Sequence, residues 1–258
     1  DNPVKAAATG DMLGVIVFSL LFGLALAVTR TEGAQALRRA VQGLYDVSMT
    51  LVQGVLRLAP LGVGALLFTM TARLGADALR PVLAYVLVVV GGLLLHTLGV
   101  YSLSVWLLGG VAPRAFFRGS RLAMVTAFST ASSSATLPTA LDVAERELKL
   151  PPQVSRFVLT AGSAMNQNGT ALFEGVTVLF LAQVFAVPLS LPQQGLVMLI
   201  CVLAGIGTAG VPAGSIPALA MILGIFGIPI EGLGLVLGVD RFLDMCRTTL
   251  NVTGDLAA

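Results

Sequence analysis

The sequence predicts an all-α membrane protein, a multi-span helical chain with two re-entrant hairpins and broken helices. Three observations carry that prediction. Hydrophobic residues make up 56% of the chain and charged residues 11%, against roughly a quarter charged in a soluble domain. Several apolar stretches reach the roughly 20 residues that a helix needs to cross a bilayer. Three of the later stretches are interrupted midway by small or polar residues, two of them with proline. The net charge of +2 comes without any basic tract interleaved with aromatics, which excludes a nucleic-acid partner.

The elements follow in order. A first span runs from about Met12 to Thr29, and a second, long segment from about Ala36 to Leu74, bent or broken at Pro60. A third span covers about Pro81 to Leu108. Residues 115–148 form the first hairpin, with Ser132-Ser133-Ser134-Ala135-Thr136-Leu137-Pro138 at its centre and Pro138 as the interruption. A broken helix over 152–187 is interrupted at Asn166 to Gly169, and a second hairpin over 193–228 turns through Gly207 to Ser215. A final helix occupies 231–258. Both ends, Asp1 and Ala258, read as interior to a longer chain.

Arginines in the short loops set the orientation. Arg30, Arg38 and Arg39 follow the first span and Arg114, Arg118 and Arg121 the third, placing both stretches in the cytoplasm. The charged residues 142–149 fall on the same side if the first hairpin enters and leaves without crossing. The second hairpin then dips in from the opposite face. Non-helical backbone at membrane depth survives only where it lines a polar cavity or is buried in protein. Two such turns from opposite faces are the sign of an inverted-repeat transporter with its site near the midplane. Two kinked spans packed through small residues would account for the glycines but not for the serine triplet.

The last helix carries the densest chemistry. Asp240, Asp244, Arg247, Thr248, Asn251 and Asp255 recur at spacings of three, four and seven, which puts them on one stripe of a helix. Phe242, Leu243, Met245, Leu250, Val252 and Leu256 take the other side. Charged groups at bilayer depth are costly and mark substrate or ion pathways. A structural i,i+3 ion pair accounts for Asp244 and Arg247 but not for four further polar partners. A guanidinium suits a carboxylate, and a carboxylate such as Asp244 suits an ammonium. Both within one turn fit aspartate or glutamate, with Asn251 donating to the second carboxylate and Asp255 offering hard oxygens to a small cation.

Other chemistries find little support. An intramembrane hydrolase lacks a Gly-x-Ser-x-Gly elbow, and His96 has no matching nucleophile motif. His96 reads as a satisfied interior polar group, and Cys201 and Cys246 as small core residues. No enzymatic activity and no cofactor are expected; coupled Na⁺ or H⁺ ions take that place.

The serine-rich tip Ser132–Pro138, the run Asn166-Gln167-Asn168-Gly169-Thr170, the turn Gly207–Pro212 and the segment Asp244–Asp255 together resemble the dicarboxylate/amino acid:cation symporter family. That family includes archaeal aspartate transporters and mammalian excitatory amino acid transporters. Order and spacing match along nearly the whole chain. The resemblance implies an elevator transporter of the plasma (inner) membrane, multi-pass and homotrimeric. Residues 1–80 would belong to a trimerising scaffold whose earlier spans precede Asp1, and residues 81–258 to a mobile transport domain gated by the second hairpin. It implies symport of an acidic amino acid with sodium and protons, the alternatives being a C4-dicarboxylate:cation symporter or an anion channel.

Residue by residue, the resemblance makes Ser133, Ser134, Thr170, Val211, Asp244, Arg247, Thr248 and Asn251 substrate contacts. Arg247 would hold the side-chain carboxylate, Asp244 the amino group and Asn251 the main-chain carboxylate. Because the family's pure dicarboxylate carriers lack an acid at the position of Asp244, this residue favours an amino acid. Sodium sites would use Ser163, Asn166, Gln167, Thr208, Asn251 and Asp255. A third would involve Asn168, but most members read Asn-Met-Asp-Gly-Thr here, so Asn168 removes a charge and Gln167 replaces a thioether. Glu174 stands where eukaryotic relatives carry the coupled proton, so a proton replaces one sodium; the alternative is that Glu174 hydrogen-bonds a neighbouring helix. Arg241 would supply, from the last helix, the auxiliary charge that archaeal members carry where this chain has Ala131, snorkelling toward the substrate region.

Overall fold

A computed structural model describes residues 2–9, 12–56, 61, 64–65, 68, 79–208, 210 and 212–258. Every regular element among them is helical. The chain divides into two compact units, Asp1–Phe68 and Thr69–Ala258.

The first unit holds α1 (Pro3–Thr9), α2 (Met12–Val28) and α3 (Glu32–Leu56). No charge interrupts α2. Thr31 starts α3, its hydroxyl accepting from the Ala34 amide at 3.2 Å, with Glu32 in the first turn, where the helix dipole favours an acid. Leu37, Val41, Leu44 and Leu51 form an exposed apolar stripe on α3. Pro60 and the end of the long second segment lie outside the described residues.

The second unit begins with α4 (Leu79–Leu95), a π-turn at His96–Tyr101 and α5 (Ser102–Leu107). The stretch Arg80–Leu107 is long and apolar enough to cross a membrane, with a mean hydropathy of 2.2. The other apolar helices found among the described residues are shorter. The helices that follow come in pairs separated by short breaks: α6 (Pro113–Thr130) with α7 (Ser133–Arg146), α8 (Pro152–Met165) with α9 (Asn168–Val184), and α10 (Leu191–Gly207) with α11 (Ile216–Ile225). A 3₁₀ turn at Ile230–Gly232 leads into α12 (Leu233–Ala257).

One sequence expectation needs correction. Pro138 does not interrupt the first hairpin; it lies inside α7. The break comes earlier, where Ala131 adopts a left-handed conformation (φ +50°) at the end of α6 and Ser132 caps α7 by accepting from the Ala135 amide at 3.2 Å. A proline inside a helix removes a single backbone bond, whereas a left-handed residue followed by an N-cap ends one helix and starts the next. The third span lies where the sequence put it, at Arg80–Leu107, and contains the π-turn.

Helix α12 contributes to two apolar clusters. Val236, Leu243 and Leu250 pack with Val89, Phe173, Val178 and Ile222. Val252 and Leu256 pack with Phe116, Ala127, Val143 and Leu159. The apolar side of the last helix is therefore mostly covered by protein; Phe242 remains half exposed. Elsewhere the usual order is inverted. Leu87, Leu95, Trp106 and Leu108 stand exposed, while Glu174, Asp240, Asp244, Arg247 and Asp255 are all buried. Charged residues are almost never fully buried unless paired. An exposed apolar face of this extent marks an interaction surface, such as one with a membrane.

Candidate functional site

Arg247 is the centre of the second unit's polar interior. Its Nε donates to Asp244 Oδ1 and its Nη1 to Asp240 Oδ1, both at 3.0 Å. Its guanidinium lies 4.2 Å from the centroid of the Phe173 ring, a distance at which the π face attracts a cation. Nη2 has no hydrogen-bond partner among the described residues. The i,i+3 pair foreseen from sequence is thus real, but it is one arm of a triad. Asp240, placed on the stripe but given no role, supplies the other.

Asp244 does a second job. Its Oδ2 accepts from the Ala213 amide at 2.9 Å, tying α12 to the turn between α10 and α11. That turn also meets the first tip: Gly210 O accepts from Ser132 Oγ at 2.8 Å and from the Ser134 amide at 3.3 Å. A Cβ at Gly210 would stand 2.8 Å from the Ser163 carbonyl, so only glycine fits this approach. Val211 lies outside the described residues.

Between these elements lies a cavity of about 10 Å³ lined by Ser133, Gln167, Thr170, Thr208, Gly210, Ser215, Asp244, Arg247 and Thr248 among others. It has room for about one water. Of the expected substrate contacts the structure gathers Ser133, Thr170, Asp244, Arg247 and Thr248 here. Ser134 is exposed and joins through its backbone. Asn251 is buried one turn away, its Oδ1 accepting from the Gly169 amide at 2.7 Å and its Nδ2 donating to Gln167 Oε1 at 2.7 Å. A Cβ at Gly169 would lie 2.6 Å from the Arg247 carbonyl. Sequence reasoning missed Ser215, whose hydroxyl is buried without a partner among the described residues. It caps α11 in position but not by hydrogen bond.

The expected cation residues fall in two groups. Asn166 Nδ2 donates to Asp255 Oδ1 at 2.8 Å, beside a larger cavity of about 440 Å³ lined by Tyr101, Gly162, Asn166, Asn168 and Asp255 among others. Asn168 is exposed, and its Nδ2 donates to Tyr101 Oη at 3.3 Å. Tyr101 closes the π-turn, a local overwinding frequent at functional sites, and gave no signal in the sequence. Buried Thr208 and Ser163 keep their hydroxyls in-chain, donating to Ala204 O and Thr160 O at 3.0 Å. The cluster offers oxygens with few histidines or thiols, the ligand type that hard cations take. No group of three or more His, Cys, Asp or Glu side chains placed to hold a metal ion occurs among the described residues.

The remaining candidates separate. Glu174 is wholly buried on α9, and neither carboxyl oxygen has a hydrogen-bond partner among the described residues. The expected alternative, a bond to a neighbouring helix, is therefore not found there. Arg241 is exposed on α12 and makes no salt bridge among the described residues. His96 packs edge-on to Tyr101 at 4.9 Å, but its buried Nε2 lacks a hydrogen-bond partner among the described residues. It is not the satisfied polar group expected, because the π-turn presents it to an aromatic ring instead.

Comparison with known proteins bears on this geometry. The chain is 36% identical to a putative sodium-dependent excitatory amino acid transporter of Caenorhabditis elegans, covering 99% of this chain and 52% of the relative. It is 33% identical to a proton/sodium-glutamate symport protein of Bacillus caldotenax, covering 100% and 60%. It is 35% identical to a proton/glutamate-aspartate symporter of Escherichia coli, covering 100% and 58%. The chain thus spans little more than half the length of these relatives, which are transporters and not enzymes. With the profile of the sodium:dicarboxylate symporter family matching residues 1–258, the chain belongs to that family.

Proposed function

We propose that the protein moves an acidic amino acid, aspartate or glutamate, across a membrane in symport with cations. The observation that carries this reading is Arg247, buried between Asp240 and Asp244 with an unpartnered Nη2 at a cavity of hydroxyls and small residues. A guanidinium is a fork for a carboxylate. Asp244, released from the Ala213 amide, is a partner for an ammonium. The side-chain carboxylate takes Arg247 and the amino group takes Asp244, while Ser133, Ser134, Thr170, Val211, Thr248 and Asn251 complete the contacts.

The cavity is too small for this ligand, so the turn from Thr208 to Ser215 is the gate that opens to admit it. In the same reading the α6–α7 and α10–α11 pairs are re-entrant hairpins of an inverted repeat. Residues 81–258 then ride as a transport domain past a scaffold formed by residues 1–80 in a homotrimer of the plasma (inner) membrane. Co-transported sodium takes oxygens from Asp255, Asn251, Asn166 and Ser163, and from the Gln167 and Thr208 region. Glu174, buried without a hydrogen-bond partner among the described residues, carries a proton in place of a further sodium at Asn168. Arg241 contributes field rather than contact.

The test is uptake of labelled aspartate by proteoliposomes under an imposed sodium gradient or an imposed proton gradient. Concentrative uptake under either supports symport, and proton-driven uptake that is lost in Glu174→Gln supports the proton role. Sodium-driven uptake indifferent to pH sinks that role alone. No uptake under either gradient sinks the amino-acid reading and leaves the dicarboxylate or channel alternative.

A further inference from the structure

Three buried polar groups lining the small cavity have no partner among the described residues: Arg247 Nη2, Ser215 Oγ and Gln167 Nε2. The third belongs to Gln167, at the break between α8 and α9. Its orientation is fixed by a series of hydrogen bonds. The Gly169 amide can only donate, so the Asn251 atom that it meets at 2.7 Å is the carbonyl oxygen. Asn251 Nδ2 therefore faces the other way, donating to Gln167 Oε1 at 2.7 Å and to Thr170 Oγ1 at 3.2 Å. Thr170 Oγ1 in turn donates to Gln167 Oε1 at 3.0 Å. Gln167 Oε1 thus takes two donors, and Nε2, on a side chain only 5% exposed, is left with two N–H groups and nothing to receive them.

The same series exhausts Asn251. Both of its N–H groups are committed within the protein, leaving Gln167 as the amide with donors to spare. Buried donors go unsatisfied at a cost, which a ligand acceptor at the cavity removes. Arg247 and Asn251 are four residues apart on α12, about 6 Å along the axis. Arg247 and the Gln167–Asn251 pair therefore bracket a ligand with an anionic group at each end.

Resting on the acidic amino acid reading, we infer that Gln167 is a specificity-determining substrate contact whose Nε2 donates to the main-chain carboxylate. Oε1 holds Asn251 and Thr170 in place while Nε2 reads the ligand. The amide thereby links the break between α8 and α9 to the substrate directly.

The experiment is competition binding in nanodiscs at saturating sodium, with inhibition constants for L-aspartate and for isoasparagine, in which the main-chain carboxylate is an amide. The proteins are the unsubstituted chain, Gln167→Met and Gln167→Glu. Gln167→Met keeps the volume but removes both the donor and the Oε1 acceptor that serves Asn251 and Thr170; Gln167→Glu keeps that acceptor and turns the donor into an anion. The expected result is aspartate binding weakened about tenfold or more by Gln167→Glu, with isoasparagine, whose amide can donate to the new carboxylate, changed less than about twofold; Gln167→Met weakens both ligands, aspartate the more. Equal losses for both ligands, or aspartate binding unchanged in both variants, would overturn the inference while leaving the amino-acid reading intact. Failure of the unsubstituted protein to bind aspartate would overturn both.

Discussion

The two tips that meet over the cavity are built differently. The first, between α6 and α7, satisfies itself. Thr136 Oγ1 donates to Ser132 O at 2.8 Å and lies 3.0 Å from Thr130 Oγ1, and Ser132 caps α7. Among the described residues of the second, between α10 and α11, Thr208 returns to Ala204 O and Gly205 O and the Ile216 amide donates to Ala213 O. Its side-chain anchors lie elsewhere: Gly210 O is held by Ser132 at the first tip and the Ala213 amide by Asp244. Ala213 also sits at φ +61°, a conformation that a side chain disfavours. A self-capped turn is a fixed wall. A turn whose main anchors lie on other elements is free to leave when those anchors find other partners. An ammonium approaching Asp244 would be such a partner, and on this ground the second tip is proposed as the gate.

The sharpest way to separate latch from recognition is Asp244→Asn. Asparagine has one acceptor where Asp244 serves both the Ala213 amide and Arg247 Nε, so a loosened tip weakens aspartate and succinate alike, while the lost charge that would meet an ammonium weakens aspartate alone. The preference for aspartate over succinate should fall on the order of 10- to 100-fold in competition binding. Next in size is Gly210→Ala, which places a methyl against the Ser163 carbonyl and Ser133. Seating of the second tip should suffer, with aspartate uptake down about tenfold, roughly 1.4 kcal/mol. The counterpart in the first tip is Thr136→Val, which removes two hydrogen bonds from a buried site. About 1–2 kcal/mol of stability should be lost, read as a lower Tm with aspartate affinity little changed. The smallest effect is Ala213→Gly. Relief of the left-handed strain should stabilise the closed tip by up to about 1 kcal/mol, offset in part by glycine's extra backbone freedom, and read as a slower exchange of the tip amides.

Much of this arrangement was legible in the sequence, and the reason is periodicity. The stripe on α12 followed from spacings of three, four and seven, and Asp240, Asp244, Arg247, Thr248, Asn251 and Asp255 are indeed all buried on one helix. The helix breaks at Asn166–Gln167 and at Thr208–Ser215 followed from runs of small and polar residues. What escaped depends on single backbone angles or on partners distant in the chain. Ala131 looks like any helical alanine, while Pro138 draws attention that the fold does not repay. Nothing in His96–Tyr101 announces a π-turn. Asp240 was visible on the stripe, but only the fold shows that it and Asp244 share one guanidinium. The free donor of Gln167 emerges only once Gly169 and Asn251 are seen to touch.

The claim at the centre is that Asp244 and Arg247 read an amino acid and not merely a dianion. The most direct test is sodium-dependent binding of labelled L-aspartate to the unsubstituted protein, competed by succinate, which carries both carboxylates but no ammonium. The account predicts that succinate displaces aspartate only at concentrations more than about tenfold higher than unlabelled aspartate requires. Equal displacement by the two would contradict it, leaving Asp244 a latch for the gate with no part in recognition.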